Sequence, residues 1–243
     1  AYGSAYARAF EDGRRILFSL PMYHVYGYVE GLLSVLFVGG SIIPQLKFDA
    51  VATLRGIERH RATDVLLIPT MTLAILDELR RGSYDLSSLH AVISSGGRSP
   101  PYIWEQIFEL MRPREVTTGY GMTEVTASST VTRPDDPLER LAGTNGRLRD
   151  VGAAGAGAPD GRLVSYRVVD PETGQDLPAG EVGELLARGP GVTRGYYNKP
   201  DATAEAFTED GWLRTGDLGR VDAEGYLTLA GRRKESYRCG GEQ

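Results

Sequence analysis

Between residues 14 and 118, short apolar runs alternate with amphipathic stretches, and this alternation limits the fold more than any other feature of the sequence. A short apolar run bounded by turn residues reads as a strand buried on both faces, and apolar residues three or four apart read as a helix face. Strands are expected at 16–20, 41–44, 64–69 (closed by Pro69), 91–95 and 115–118. Helices are expected at 28–38, after a capping Asp49 with Val51, Leu54 and Ile57 on one face, at 70–80 with Leu73, Leu76 and Leu79, and from Pro101 with Ile103, Ile107 and Leu110. Such an order predicts an α/β unit over residues 1–125, a mostly parallel sheet with flanking helices.

The rhythm changes after residue 125. Residues 126–132 alternate small and polar residues, 163–169, 182–188 and 226–230 read as strands, and 170–174 and 222–225 have hairpin-turn chemistry. Residues 133–159 are glycine-rich with little periodicity and read as loops with short strands, and one short helix is expected at 200–207. Residues 126–230 are therefore expected to form a β-rich, barrel-like subdomain, with 231–243 a separate tail.

The formal net charge of −5 argues against a nucleic-acid surface as the main function. The single cysteine, Cys239, cannot form an internal disulfide, which fits a cytoplasmic location. The longest apolar run, residues 31–38, is short of the roughly 20 residues that span a bilayer, so no membrane span is expected. The first residues do not pattern as a signal peptide.

Two expected strands end in glycine-rich elbows, Ser94-Ser-Gly-Gly-Arg-Ser-Pro100 and Thr118-Gly-Tyr-Gly-Met-Thr-Glu124. In open α/β sheets, ligands bind beyond the carboxyl ends of strands. In the second elbow Tyr120 offers a ring for stacking, Thr123 a hydroxyl for a phosphate oxygen, and Glu124 a hard carboxylate suited to Mg2+. The alternative is a tight turn with solvated Thr and Glu. Asp217, in Asp210-Gly-Trp-Leu-Arg-Thr-Gly-Asp217, can accept two neighbouring hydroxyls as on a ribose, or merely cap a turn. Arg232 and Lys234 are either part of that site or an exposed charged cluster.

Five segments in order resemble the adenylate-forming superfamily of acyl- and aryl-CoA ligases, nonribosomal peptide adenylation domains and luciferases. They are Pro21-Met-Tyr-His-Val-Tyr-Gly27, Gly119-Tyr-Gly-Met-Thr-Glu124, Gly183-Glu-Leu-Leu-Ala-Arg-Gly189 with Gly195-Tyr-Tyr-Asn-Lys-Pro200, Trp212-Leu-Arg-Thr-Gly-Asp-Leu218, and Gly231-Arg-Arg-Lys-Glu235. The resemblance implies activation of a small-molecule carboxylic acid by ATP and Mg2+ to an acyl-adenylate. The acyl group then passes to coenzyme A or to a carrier-protein pantetheine. By the same resemblance, Thr123 contacts phosphate, Glu124 binds magnesium, and Tyr120 stacks on adenine, with the backbone of Gly96, Gly97 and Arg98 on its other side. Gly119 and Gly121 shape that loop, Asp217 holds the ribose hydroxyls, Arg232 accompanies it, and Lys234 is a hinge. His24, Tyr28, Gly96, Gly119 and Thr126 line the acyl pocket, with Tyr23, Tyr26 and Tyr28 as its tyrosine wall.

The opening Pro21-Met-Tyr-His and the tail, residues 232–243, look most like acyl- or aryl-CoA ligases. Loading of a carrier protein and a non-catalytic nucleotide-binding module derived from the fold stay as alternatives. The resemblance also implies a phosphate-gripping loop upstream of residue 21 and a lysine-bearing C-terminal lid domain, with residues 231–243 its hinge and first residues and the remainder after residue 243. Residues 1–20 contain nothing like the loop. The chain is thus expected to be the central fragment of such an enzyme, binding AMP or an adenylate analogue weakly and not turning over alone. Arg98-Ser99-Pro100 stands where many members carry Ala-Pro. Arg98 narrows the pocket, meets a second acidic group on the substrate, or points to solvent.

Overall fold

The computed structural model describes residues 2–7, 13–97, 99–148 and 162–233. In chain order its first elements are helix α1 (Tyr2–Ala7), strand β1 (Arg15–Phe18) and helix α2. Helix α2 is a π-helix over Tyr26–Leu33 that continues as α-helix over Ser34–Leu36. Then follow β2 (Ser41–Pro44), α3 (Ala50–His60), β3 (Asp64–Leu67), α4 (Pro69–Leu79) and β4 (Ala91–Ser94). Helix α5 (Pro101–Gln106) runs on as one π turn over Ile107–Met111 before β5 (Glu115–Thr117).

These five strands pair in parallel in the order β2-β1-β3-β4-β5. Alternation along β1 explains the layering. Leu17 packs with Leu54, Ile57, Leu76, Ile103 and Ile107 of α3, α4 and α5 on one face. Ile16 and Phe18 pack with Tyr26 and Val35 of α2 on the other. Both faces are thus covered, which is why the strands read as unbroken apolar runs. Each fully buried Leu or Ile contributes roughly 1.5–3 kcal/mol.

The expected caps are in place. The Asp49 side chain accepts the Ala52 N–H at 2.8 Å, and Pro69 and Pro101 open α4 and α5, where a missing N–H costs nothing. Pro69 therefore starts a helix rather than closing a strand. Two expected core positions are corrected: Val51 and Leu73 face solvent, and Thr53 and Thr72 are buried instead.

The rest of the chain is mainly antiparallel. Strands β6 (Gly119–Met122), β7 (Ala127–Val131) and, after α6 (Leu138–Gly143), β8 (Arg147–Leu148) form one sheet. Strands β9 (Ser165–Val169), β10 (Gly183–Arg188), β11 (Leu213–Val221) and β12 (Leu227–Arg232) form another, with α7 (Pro200–Ala206) between β10 and β11. Asn145 N–H donates to Leu227 C=O at 2.7 Å and Leu227 N–H to Gly146 C=O at 3.0 Å, so backbone bonds join the two sheets. Tyr120, Leu185 and Leu227 pack together as a core that draws on both. The fold is a parallel five-stranded α/β unit followed by a β-rich one. Among the described residues no helix is long and apolar enough to cross a membrane.

Candidate active site

Glycine shapes the site by allowing close approach. Residues 119–122 are not a tight turn but strand β6, with the reversal coming at Thr123–Val125, a single 3-10 turn, and at Thr126 in the left-handed region (φ 61°). A methyl group at Gly119 would lie 2.4 Å from the Thr130 carbonyl oxygen, and one at Gly121 only 1.7 Å from that of Ala127. Both glycines are needed because the paired strand β7 lies close beside them, across a register shift at Tyr120/Gly121, not because the backbone turns. Strand β4 delivers Ser95, whose hydroxyl donates to Gly119 C=O at 2.7 Å. That bond ties the Gly96–Gly97 turn to β6 at the carboxyl edge of the parallel sheet. Gly96 adopts φ 85°, a left-handed conformation that suits glycine.

Asp217 is aimed by bulges on both sides of its strand. On β11, residues 215–217 stand opposite the single residue Leu185 between the pairs Glu184↔Leu218 and Leu186↔Arg214. Gly216 takes φ 73°, and the Thr215 hydroxyl donates to Leu185 C=O at 2.7 Å. Toward β12 the register slips once more, between Leu218 and Gly219. Bulges of this kind redirect side chains. Here the result is that Asp217 faces inward, 6% exposed. Tyr120 donates its hydroxyl to Asp217 Oδ2 at 2.7 Å, and Arg232 Nε lies 3.1 Å from Oδ1.

Tyr120 is itself buried, and its ring centroid lies 6.0 Å from that of Tyr166. Burial first, then the neighbouring Tyr166 and the Asp217 carboxylate, push its phenol well above the ordinary range, so it stays a neutral donor. A carboxylate has about four acceptor positions. The partners named for Asp217 use two, leaving capacity for hydroxyls of a ligand.

Glu124 follows directly on the exposed Thr123. Its side chain accepts the Tyr196 hydroxyl at 3.0 Å, and its carbonyl accepts Thr193 N–H at 2.7 Å. Thr126, expected at the acyl pocket, is exposed and donates its hydroxyl to Gly191 C=O at 2.8 Å. Among the described residues no group of three or more His, Cys, Asp or Glu gathers as a metal cage. One carboxylate beside a hydroxyl fits Mg2+, which is usually bound through one or two carboxylates plus substrate phosphates.

A cleft of about 410 Å³ is lined by Met22, Tyr23, His24, Val25, Tyr28 and Thr123. Three residues singled out in the sequence, His24, Tyr28 and Thr123, therefore meet. His24 Nδ1 accepts the Tyr26 N–H at 3.2 Å, so the neutral ring carries its proton on Nε2. Tyr26 is a correction to the tyrosine wall. It points into the core and donates to the carbonyls of Leu67 and Ile93. Tyr28, two residues further along the same helix, faces the cleft instead, a split that helical periodicity announces. Sequence reasoning assigned no role to Tyr196, although Gly195-Tyr-Tyr-Asn-Lys-Pro200 had been singled out. Arg98 and Lys234 lie outside the described residues.

Comparison with known proteins gives a family match to AMP-binding enzyme over residues 1–197. A sulfoacetate–CoA ligase of Cupriavidus necator is 36% identical over 228 residues, 94% of this chain and 41% of that protein. An indoleacetate–CoA ligase of Aromatoleum aromaticum is also 36% identical over 228 residues, again 94% of this chain and 41% of that protein. ATP-bound MatB from Rhodopseudomonas palustris superposes with a TM-score of 0.82 at 29% identity, covering 99% of this chain and 44% of that one. The chain thus spans about 41% of the length of these two curated relatives. The matched segment includes the cleft, β6 and the Glu124 turn, and on this footing the chain belongs to the AMP-binding enzyme family.

Proposed function

We propose that this chain is the acid- and adenylate-binding part of an AMP-forming acid–thiol ligase, with coenzyme A as the acceptor. One observation carries the reading. Thr123 lines the same cleft as His24 and Tyr28 and is followed directly by Glu124. An acid pocket and a phosphate-binding pair thereby share a border, as the attack of a carboxylate on a phosphorus requires.

A carboxylate is a poor electrophile because oxide would have to leave. In the proposed reaction its oxygen attacks the α-phosphorus of ATP and the bond to pyrophosphate breaks, giving acyl-AMP. The thiol sulfur then attacks the acyl carbon and AMP leaves. Positioning and charge stabilisation supply most of such catalysis. In this reading Thr123 donates to a phosphate oxygen, and Asp217 accepts the ribose hydroxyls while Tyr120 and Arg232 keep it in place. The nucleotide base lies toward the Gly96–Gly97 turn. His24 offers its Nε2–H, and Tyr28 its ring, at the acyl cleft. Magnesium bound at Glu124 would neutralise charge on the phosphates.

The names of the two relatives at equal identity, one for a sulfonated acid and one for an aromatic acid, leave the acid itself to experiment. Screening acids by hydroxamate formation in the protein that carries this chain tests the reading. A subset of acids is expected to give hydroxamate with ATP, Mg2+ and hydroxylamine. No hydroxamate from any aryl, alkyl or polycyclic acid would sink it. Offering coenzyme A against a pantetheine carrier to the same protein identifies the acceptor.

A further inference from the structure

The loop between β10 and α7 is fastened to the Thr123–Thr126 turn along its length. Thr193 N–H donates to Glu124 C=O at 2.7 Å, and Thr126 Oγ1–H to Gly191 C=O at 2.8 Å. At the loop's end, the Tyr196 hydroxyl donates to Glu124 Oε1 at 3.0 Å. The loop in turn is braced by α7. Tyr196 N–H donates to Thr203 Oγ1 at 2.9 Å, and that hydroxyl donates on to Lys199 C=O at 2.8 Å. Gly195 lets the backbone close on this threonine, since a methyl there would sit 2.5 Å from Thr203 Cγ2. Tyr196 and Glu124 are 72 residues apart in sequence. The contact is thus made by tertiary structure, not by a local turn.

We propose that Tyr196 is a positioning residue for Glu124: its hydroxyl holds one carboxylate oxygen so that the other faces the phosphate-bound cation. This rests on the reading of Glu124 as the magnesium carboxylate. The physical case is that a free glutamate rotates about three single bonds, and a ligand held by a hydrogen bond loses less entropy when the ion arrives. Outer-shell partners that orient metal ligands are commonly worth about 10–100-fold in affinity. A merely structural tyrosine would affect stability and leave cation dependence unchanged.

The test uses Tyr196→Phe, which keeps the ring and removes only the hydroxyl, with the exposed neighbour Tyr197→Phe as control. Magnesium dependence of ATP binding is followed by calorimetry, and direct Mn2+ binding in the presence of ATP by electron paramagnetic resonance. Tyr196→Phe is expected to need about tenfold more cation for half-maximal binding in both measurements. Magnesium-free AMP binding should keep its affinity, and Tyr197→Phe should match the unaltered protein. If Tyr196→Phe shows the unaltered cation dependence, the positioning role is overturned while the ligase reading stands. If the unaltered protein itself shows no cation-dependent ATP binding, the assignment of Glu124 falls and the positioning role with it.

Discussion

At the scale of single residues, the site turns on one buried carboxylate and the phenol that bonds it. Asp217 and Tyr120 are 97 residues apart, and no spacing rule joins them. Each residue type was legible as chemistry, but their partnership was not, because it depends on how two sheets meet. Replacing Asp217 by Asn keeps the shape and removes the charge. Hydrogen bonds to charged groups are worth about 1.5–3 kcal/mol, so AMP affinity should fall by at least tenfold in a calorimetric titration. Tyr120→Phe should lower stability by about 1–3 kcal/mol in urea unfolding, since it strips a buried donor from a carboxylate. It should also change the alkaline limb. Burial foremost raises the Tyr120 pKa, so the folded state holds this proton more tightly than the unfolded chain. Its contribution is therefore fully present below about pH 10 and is lost as pH rises further. The fall in stability above pH 10 should be shallower in Tyr120→Phe, with half-buried Tyr166, whose phenol is also raised, accounting for part of what remains.

At the scale of elements, the parallel half was legible and the antiparallel half only in part. Runs such as 64–67 and 91–94 announce themselves because both faces of the sheet are covered. Strands β6 and β11 escaped for a physical reason. Gly-Tyr-Gly-Met and Leu-Arg-Thr-Gly-Asp-Leu-Gly-Arg-Val mix glycine with polar groups, the composition of turns, because one is approached closely by its paired strand and the other is bulged. Those departures from strand composition are where the candidate site lies. Helix α6 also escaped, being only six residues long within a glycine-rich stretch. Two glycine variants separate the two kinds of constraint. At Gly216 (φ 73°) an added methyl meets nothing within 4 Å, so Gly216→Ala should cost about 1–2 kcal/mol from the left-handed backbone alone. Its larger effect should be weaker AMP binding, because the bulge aims Asp217. Gly121→Ala places a methyl 1.7 Å from a carbonyl oxygen, so the strands must part. Its loss of thermal stability should exceed that of Gly216→Ala, and equal losses would contradict the close approach of β7.

At the scale of the whole molecule, the two halves are joined where β5, the edge of the parallel sheet, runs on through Thr118 into β6 of the antiparallel one. The Ser95–Gly119 bond stands on one side of that passage and the Tyr120–Asp217 bond on the other. The cleft at His24, Tyr28 and Thr123 and the buried Asp217 carboxylate are held in relation by this connection. The measurement that tests the central claim most directly is oxygen transfer from the acid. In the protein that carries this chain, an acid labelled with heavy oxygen in both carboxylate positions is turned over with ATP, Mg2+ and coenzyme A. The account predicts that one labelled oxygen per turnover appears in AMP, with release of unlabelled pyrophosphate. Label in inorganic phosphate, with ADP as the nucleotide product, would contradict it.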